Sequence, residues 1–369
     1  MSKEIAWAEW NPTMVCPAAF AAKQPEIMGK FSGCTYCYAA PGMPHTPEER
    51  LRFSQQELST AQALNLLDRL ADRHIPRLSF LGGEPQSRKD FAALVAHAVE
   101  KFELVSVTTN GMGTKKNQEA LMTASVVEVS LDSHDFAIAS QTRPPAVVKS
   151  ALDTIDTLKD HPFLCLSSVV TPESLAQLPE FINWAFKNKG IKRINLYPLL
   201  GSSEVPDRLV LSPNQAQNLL TDLESQYPTY GERVCKAGQH VVVNHDGSVL
   251  PCAAFLGGTM DSETTWKTIG QFAGHDFSPL APVDKLEPPG CPGKKLYDSG
   301  WSREVIKTGE VKPAVQNGNY CMRCNFPHHA ENGNCRHCGF DHFDRTNILM
   351  MCSAFTVYNP EFFPQAGII

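Results

Sequence analysis

Between residues 57 and 230, short runs of β-branched and apolar residues alternate with segments of helical periodicity. This alternation is typical of parallel β/α units, because each helix carries the chain back to begin the next strand at the same end of the sheet. The predicted strands cover residues 5–10, 77–81, 104–109, 126–131, 163–170 and 193–199. Six units predict an α/β fold, a partial (β/α)6 TIM-like barrel that lacks two of the eight units of a complete barrel.

Two helices of this region have recognisable ends. Ser59 begins a capping-box pattern that Gln62 completes, and the apolar residues that follow predict a helix with one face on the sheet. A later helix ends before Gly190, because a residue without a Cβ suits the left-handed end of a helix. Pro172 and Pro179 are alternative starts for that helix.

The β/α pattern stops near residue 230, where the chain becomes rich in Gly, Pro, Asn, His and Cys. Eight of the twelve cysteines follow this point. Such a composition does not build a large apolar core, so metal clusters are expected to supply folding free energy there. We therefore predict two domains, a barrel over residues 1–230 and a small Cys-rich cluster-binding domain over residues 231–369.

Composition excludes several classes of partner. The formal net charge is -6 and no basic stripe occurs, which argues against nucleic acid. The N-terminus lacks a secretion signal and no run of about 18 apolar residues occurs, so a cytoplasmic protein without membrane association is expected. Cytosolic thiols are kept reduced, and twelve cysteines in such a chain indicate metal ligation, not disulfides.

Three cysteines near the start of the chain stand apart from the others. Cys34 and Cys37 form a C-x2-C pair, and Cys16 precedes Cys34 by seventeen intervening residues. Three thiolates are one fewer than a closed iron-sulfur or zinc site requires, so a metal centre held by them keeps one position open. A zinc site completed by His45 and a set of unrelated buried thiols are the alternatives.

Polar and glycine residues follow three predicted strands, where barrel enzymes place their sites. Gly82 and Gly83 permit close backbone approach, and Glu84 is able to accept hydrogen bonds from an ammonium group. The next two strands are followed by further polar residues, namely Asn110, Ser130, Asp132 and Arg143. Ordinary turns, a helix cap and a surface ion pair are the structural alternatives for them.

Together these motifs resemble the radical S-adenosylmethionine (radical SAM) enzymes, although the family spacing C-x3-C-x2-C would place its first cysteine at Lys30. We infer an insertion over residues 17–33. The resemblance implies that Cys16, Cys34 and Cys37 hold a [4Fe-4S] cluster whose fourth iron chelates SAM. It further implies SAM-binding residues, in which Glu84 meets the amino group and Arg143 the carboxylate. Tyr36 is a candidate to pack against adenine, with a place in the core as its alternative. The predicted SAM-binding residues are Tyr36, Gly82, Gly83, Glu84, Asn110, Ser130, Asp132 and Arg143.

The later cysteines resemble the SPASM extension of these enzymes, which holds two auxiliary [4Fe-4S] clusters. By order in the chain, one cluster would take Cys235, Cys252 and Cys338, with Cys291 as a possible fourth ligand. The other would take Cys321, Cys324, Cys335 and Cys352. A zinc ribbon is the rival, because C-x2-C-x10-C-x2-C alone satisfies a four-thiolate zinc site. Cys165 lies within an apolar strand, where an inert buried thiol is expected and a hydrogen-atom donor is the minority alternative.

The resemblance implies an oxidoreductase in which a reduced cluster splits SAM to a 5'-deoxyadenosyl radical that abstracts a hydrogen atom from the substrate. The expected substrate is a peptide or protein side chain, which is oxidised or cross-linked, and the expected electron donor is a flavodoxin or ferredoxin. Dehydrogenation or epimerisation of a small carbohydrate-like metabolite is the first alternative. The second is a non-catalytic iron-sulfur or zinc scaffold.

Overall fold

The structure is a computed structural model that describes residues 5, 7–21, 33–37, 44, 46–198, 207–209, 211, 213–227, 229–230, 240–250, 270–278, 330–331, 334–335 and 355–362. His45 and most of the predicted C-terminal ligands lie outside these residues, namely Cys235, Cys252, Cys291, Cys321, Cys324, Cys338 and Cys352. Cys335 lies in a short strand of which only the backbone is described. The auxiliary-cluster ligands and the boundary near residue 230 therefore stay predictions.

A parallel sheet of six strands, taken in chain order, forms the centre of the described part of the molecule. Its strands are β1 (Trp7–Trp10), β2 (Arg77–Phe80), β3 (Leu104–Thr109), β4 (Val126–Ser130), β5 (Leu164–Val170) and β6 (Arg193–Pro198). The predicted strands agree with these bounds to within two residues at either end. The six-unit, TIM-like partial barrel is confirmed.

Short strands from later in the chain extend both edges of this sheet, and the sequence analysis does not predict them. Next to β6 lie β13 (Phe355–Tyr358) and then β7 (Thr229–Tyr230), both antiparallel. Next to β1 lies β8 (His240–Val243), which is parallel to it, followed by the antiparallel β9 (Ser248–Leu250) and β10 (Gly270–Gln271). A separate hairpin pairs β11 (Ala330–Glu331) with β12 (Asn334–Cys335). Segments of two to four residues carry no periodicity, so their pairing depends on partners distant in sequence.

Helices connect the parallel strands. They are α1 (Ala18–Ala21), α2 (Pro47–Gln56), α3 (Thr60–Asp72), α4 (Phe91–Lys101), α5 (Thr114–Thr123), α6 (Phe136–Ala139), α7 (Pro145–Thr157), α8 (Pro172–Leu175), α9 (Leu178–Asn183) and α10 (Pro213–Gln226). Single 3-10 turns occur at Pro85–Ser87, Asp207–Leu209 and Pro360–Phe362, and a π-helical turn at Trp184–Asn188 follows α9. No helix among the described residues is long and apolar enough to cross a membrane.

The helix ends mostly follow the sequence expectations. The capping box before α3 is confirmed, because Gln62 N donates to Ser59 Oγ at 3.3 Å and Ser59 N donates to Gln62 Oε1 at 2.9 Å. The left-handed Gly190 is also confirmed, with φ of 65°. Pro172 and Pro179 both lie in first turns, because the single predicted helix is divided into α8 and α9.

The two faces of the sheet differ in chemistry. The face toward the helices is apolar, and residues such as Trp10 and Phe80 pack there with leucines of α3 and α4. Strand alternation turns the next residues to the opposite side, which we call the inner face. Many of its buried residues are polar, namely Glu9, Ser79, Ser106, Glu128, Arg193, Asn195 and Thr356, although Trp7, Cys165 and Val242 are buried there as well. The carboxyl ends of β1 to β6 border this polar face, and the candidate site lies at that edge.

Candidate functional site

The loop after β1 carries Cys16 across the carboxyl ends of neighbouring strands. Its backbone is bound to the segment after β2, because Gly83 N donates to Thr13 O at 2.9 Å and Glu84 N donates to Val15 O at 3.1 Å. A Cβ on Gly82 would lie 2.4 Å from Thr13 O, and one on Gly83 would lie 2.6 Å from Val15 O. In this structure the two glycines therefore admit the protein's own Cys16 loop to the strand end.

Replacing Gly82 with alanine is expected to displace this loop. Gly82 has φ of 104°, and the new Cβ would meet a backbone oxygen that has no room to move without the loop. The matched control is Gly190→Ala, since Gly190 also has positive φ but nothing lies within 4 Å of its Cβ position. The control should cost about 1 kcal/mol of unfolding free energy, and Gly82→Ala clearly more, together with a loss of bound iron. Equal costs in urea unfolding, with equal iron content, would contradict this role for Gly82.

The segment with Cys34 and Cys37 docks against the carboxyl end of β4. Thr35 N donates to Thr142 O at 3.0 Å, and the Tyr36 hydroxyl donates to Asp132. The Arg143 guanidinium lies over the Tyr36 ring, 5.4 Å from its centroid. In this structure Tyr36 joins its segment to the strand end, and its contact with adenine stays a prediction.

The two segments bring the three predicted cysteines into one site. Cys16 is buried in an apolar cluster with Met14 and Val147, against which Cys37 also packs. Asn110 Nδ2 donates to Cys16 Sγ at 3.4 Å, and Arg143 Nη1 lies 4.0 Å from Cys34 Sγ. Residues distant in sequence thus meet without a disulfide, since Cys16, Cys34 and Cys37 are all free.

The electrostatics of these thiols favour a positively charged occupant. Burial raises the pKa of Cys16 well above its ordinary value, and repulsion from Cys34, Glu84 and Cys37 adds to the effect. Burial also raises the pKa of the Cys34 thiol to about 12, although Arg143 opposes that shift. Ionised thiolates here require a nearby cation, and a metal centre lowers the thiol pKa directly.

The donor set is compatible with an iron-sulfur cube. Within the described part of the chain, no three His, Cys, Asp or Glu side chains converge on a point that would hold one metal ion. In a cube each thiolate binds a different iron, so its ligands surround the cluster and need not converge. The residues present therefore suit the group that the sequence predicts.

Glu84 is fully buried beside this site. Its carboxylate accepts hydrogen bonds from Asn110 N at 2.7 Å and Thr109 Oγ1 at 2.8 Å, and more weakly from Gln86 N at 3.3 Å. Burial raises its pKa to about 7, although these hydrogen bonds oppose the shift. The carboxylate thus joins the ends of β2 and β3, and its negative charge lies close enough to Cys16 to raise the pKa of that thiol.

Asp132 and Arg143, predicted to contact SAM, bind each other here. Arg143 Nε donates to Asp132 Oδ2 at 2.9 Å and Nη2 donates to Oδ1 at 3.1 Å, a bidentate pair with both side chains buried. Thr142 Oγ1 and Val169 N donate to the same carboxylate at 3.0 and 2.9 Å. Ser130 ends β4 and pairs in register with Ser167. Whether these residues also bind SAM stays a prediction.

Sequence reasoning missed two residues that position the site. Arg88 donates to Pro12 O and Leu58 O at 3.0 Å each and binds Asp90, so it holds the start of the Cys16 loop. Thr142 binds both Asp132 and Thr35. Arg88 is close in sequence to the glycine motif and Thr142 is next to Arg143, but such closeness in sequence does not predict a contact.

Cys165 is buried at the beginning of β5, about 16 Å along the strand from its carboxyl end.

Comparison with known proteins agrees with this geometry. Residues 31–185 match the model of the radical SAM superfamily. The chain is 25% identical to mycofactocin maturase MftC of Mycolicibacterium smegmatis over 269 residues, which cover 64% of this chain and 66% of MftC. It is 32% identical to PqqA peptide cyclase of Granulibacter bethesdensis over 225 residues, 54% of this chain and 60% of that protein. The match thus spans less than two thirds of each relative.

Solved structures share the fold. Streptococcus suis SuiB bound to S-adenosylmethionine superposes with a TM-score of 0.52 at 17% identity, covering 72% of this chain and 63% of SuiB. The structure of anSMEcpe with bound AdoMet and the Cp18Cys peptide gives a TM-score of 0.50 at 17% identity, covering 90% of this chain and 89% of that one. At these identities the likeness concerns the fold alone.

Proposed function

We propose that the protein is a radical SAM oxidoreductase that acts on a peptide or protein side chain, which it oxidises or cross-links. The observation that carries this proposal is the meeting of Cys16, Cys34 and Cys37 from two segments at the carboxyl edge of a partial barrel. A match to the superfamily model over residues 31–185 supports it. One-electron cleavage of SAM accounts for a site with three thiols, whereas a zinc scaffold would require a fourth ligand such as His45.

A [4Fe-4S] cluster at the three thiols, with SAM on its open iron, would supply one-electron cleavage of SAM to a 5'-deoxyadenosyl radical. The protein's own residues position that chemistry. The Cys16 loop is fixed on Gly82 and Gly83, and the other two cysteines are fixed through Tyr36 and Thr35 on the end of β4. The apolar residues around Cys16 would keep water from that side of the site, which would help to protect a reactive radical.

The peptide substrate is supported by one curated relative in particular. This relative is named a peptide cyclase, PqqA peptide cyclase, and is 32% identical to this chain over the matched residues. Cys235, Cys252, Cys291, Cys321, Cys324, Cys335, Cys338 and Cys352 would then hold auxiliary clusters, and a flavodoxin or ferredoxin would donate the electron. GTP 3',8-cyclase of Limosilactobacillus fermentum, which is 26% identical over 46% of this chain and 52% of its own length, keeps a small-molecule substrate as the second candidate.

The decisive experiment is anaerobic reconstitution followed by reduction with dithionite in the presence of SAM. We expect 5'-deoxyadenosine and methionine in equal amounts, and roughly twelve irons per chain if two auxiliary clusters accompany the first. A protein that holds zinc in place of iron, or that holds iron but forms no deoxyadenosine, would be a scaffold and would refute the proposal.

The mass of the product distinguishes the two substrate classes. A loss of two mass units from a peptide, and not from a carbohydrate, would decide for the peptide.

A further inference from the structure

The inner face of the sheet carries three polar side chains, one within β1 and one directly after each of β1 and β8. Ala8, Trp10, Val241 and Val243 belong to the apolar core on the helix side. Strand alternation therefore turns Glu9, Asn11 and Asn244 toward the inner face. We call these three residues the inner-face wall.

Backbone pairing places the two asparagines side by side. Trp10 pairs in register with Val243 in the parallel sheet, and Asn11 N donates to Val243 O at 2.8 Å. Asn11 and Asn244 are the next residues of the two strands, so their backbones lie about 4.8 Å apart. Their side chains leave the sheet in the same direction.

The wall has hydrogen-bonding capacity that the described protein does not use. Asn11 is 1% exposed, and both its Nδ2 and its Oδ1 are buried without a partner. The Oδ1 of Asn244 is buried without a partner as well. Folded proteins satisfy the great majority of buried polar atoms, and the exceptions require an explanation such as a bound group.

Glu9 adds an acceptor to the same wall. Its carboxylate receives one long hydrogen bond, 3.5 Å from Trp7 Nε1, and burial raises its pKa to about 7. Glu128 on the same face provides the contrast, because Asn195 Nδ2 donates to it at 2.5 Å and Arg193 lies 3.6 Å away. No cation among the described residues pairs with Glu9 in that way.

The wall adjoins the three-thiol site. Asn11 begins the loop that ends at Cys16, and its Cβ lies 3.3 Å from the position that a Cβ on Gly82 would take. A ligand bound to the wall would consequently lie beside the thiols at the carboxyl edge of the sheet.

We propose that the inner-face wall binds a backbone amide of the peptide substrate. The identification of this peptide as the substrate rests on the proposed function. A peptide group presents one N–H donor and one C=O acceptor in a single plane. The primary amide of Asn11 offers the complementary acceptor and donor, and Asn244 Oδ1 and Glu9 accept further N–H groups. A side chain held beside the thiols through its own backbone would be positioned for reaction.

The test uses ligand-observed NMR on the anaerobically reconstituted protein, with N-acetylglycine N-methylamide as the probe for a peptide group. We expect saturable binding to the wild type and a dissociation constant raised roughly tenfold in Asn11→Leu and Asn244→Leu. The control is Asn359→Ala, because Asn359 is a buried asparagine that binds Phe186 O and Ile191 O elsewhere in the fold. Equal affinity in all four proteins, or saturable binding of methyl glucoside in place of the diamide, would overturn the proposal.

Thermal unfolding gives a second readout. An asparagine without partners loses no hydrogen bond on replacement, so Asn11→Leu should unfold at or above the wild-type temperature, whereas Asn359→Ala should unfold lower. A decrease in Asn11→Leu as large as that in Asn359→Ala would mean that bound water satisfies the wall, and would overturn the proposal. Binding needs no turnover, so a protein that binds the diamide without cleaving SAM would refute the proposed function and leave the binding site standing.

Discussion

Cys16→Ala is expected to remove about four irons per chain and to lower deoxyadenosine formation at least about 100-fold. The sequence separates this cysteine from Cys34 by seventeen residues, yet it packs in the same buried cluster as Cys37, and Cys34 and Cys37 are close enough to raise its pKa. Removing one of three ligands leaves a cube with two protein thiolates, which is too few to retain it. Iron and sulfide analysis after anaerobic reconstitution measures the first effect, and chromatography of the nucleoside measures the second.

Cys165→Ala is the matched control for this substitution. Cys165 is also a buried free thiol, and burial raises its pKa to about 12, but it lies at the opposite end of its strand from the site. Its replacement should cost about 1 kcal/mol through the small cavity and leave the iron content as in the wild type. If Cys16→Ala kept its iron, or if Cys165→Ala lost as much, the ligand would have to be sought elsewhere in the chain.

Asp132→Ala should produce the largest loss of stability among the substitutions at the site, about 3 to 5 kcal/mol of unfolding free energy. The buried Arg143 would lose its bidentate partner, and Tyr36, Thr142 and Val169 would each lose an acceptor. An uncompensated guanidinium in the interior is the main cost, because little solvent is present to replace the carboxylate. The midpoint of urea unfolding reports this loss.

The comparison for Asp132 is an ion pair of the same type on the surface. Lys149 and Asp153 lie 2.6 Å apart on α7, with 70% and 51% of their side chains exposed. Asp153→Ala should change the unfolding free energy by less than about 0.5 kcal/mol, because exposed pairs contribute little. Two equal losses would show that the Asp132 network does not hold the strand end together.

The Asp132 network also has a consequence for the metal site. Tyr36 lies between Cys34 and Cys37 and is joined to Asp132, so loss of the carboxylate releases the segment that carries both thiols. Asp132→Asn offers a milder variant, since the amide retains one acceptor oxygen. We expect Asp132→Asn to have a higher unfolding free energy and a higher iron content than Asp132→Ala. A purely global destabilisation would not require this order of the two variants.

The sequence was most informative where the chemistry is local. Alternating apolar runs located six parallel strands to within two residues, because the periods of strands and helices are properties of neighbouring residues. The Ser59 capping box and the left-handed Gly190 were recognisable for the same reason. Cysteine spacing likewise drew attention to Cys34 and Cys37, since one short loop carries both.

Contacts between distant segments were a different matter. The predicted roles of Gly82, Gly83, Asp132 and Arg143 in binding SAM stay predictions. The sequence did not reveal the contacts within the protein, in which the two glycines lie against Thr13 and Val15 and Asp132 pairs with Arg143. The edge strands β8 and β13 were not predicted, because so few residues acquire a conformation only by pairing with strands already present.

Residue types alone therefore determined that this chain forms parallel β/α units, and they predicted three thiols as ligands of a metal, since periodicity and thiolate chemistry need no knowledge of distant neighbours. Only the folded molecule decided that Cys16 joins the other two cysteines and that Asp132 binds Tyr36, in the segment between Cys34 and Cys37. It also decided that the side-chain amide of Asn11 and the Oδ1 of Asn244 find no partner among the described residues. Those outcomes depend on register and on the approach of segments more than two hundred residues apart, such as Trp7 and His240. Such approaches are set by the packing of the whole sheet, and no local pattern encodes them.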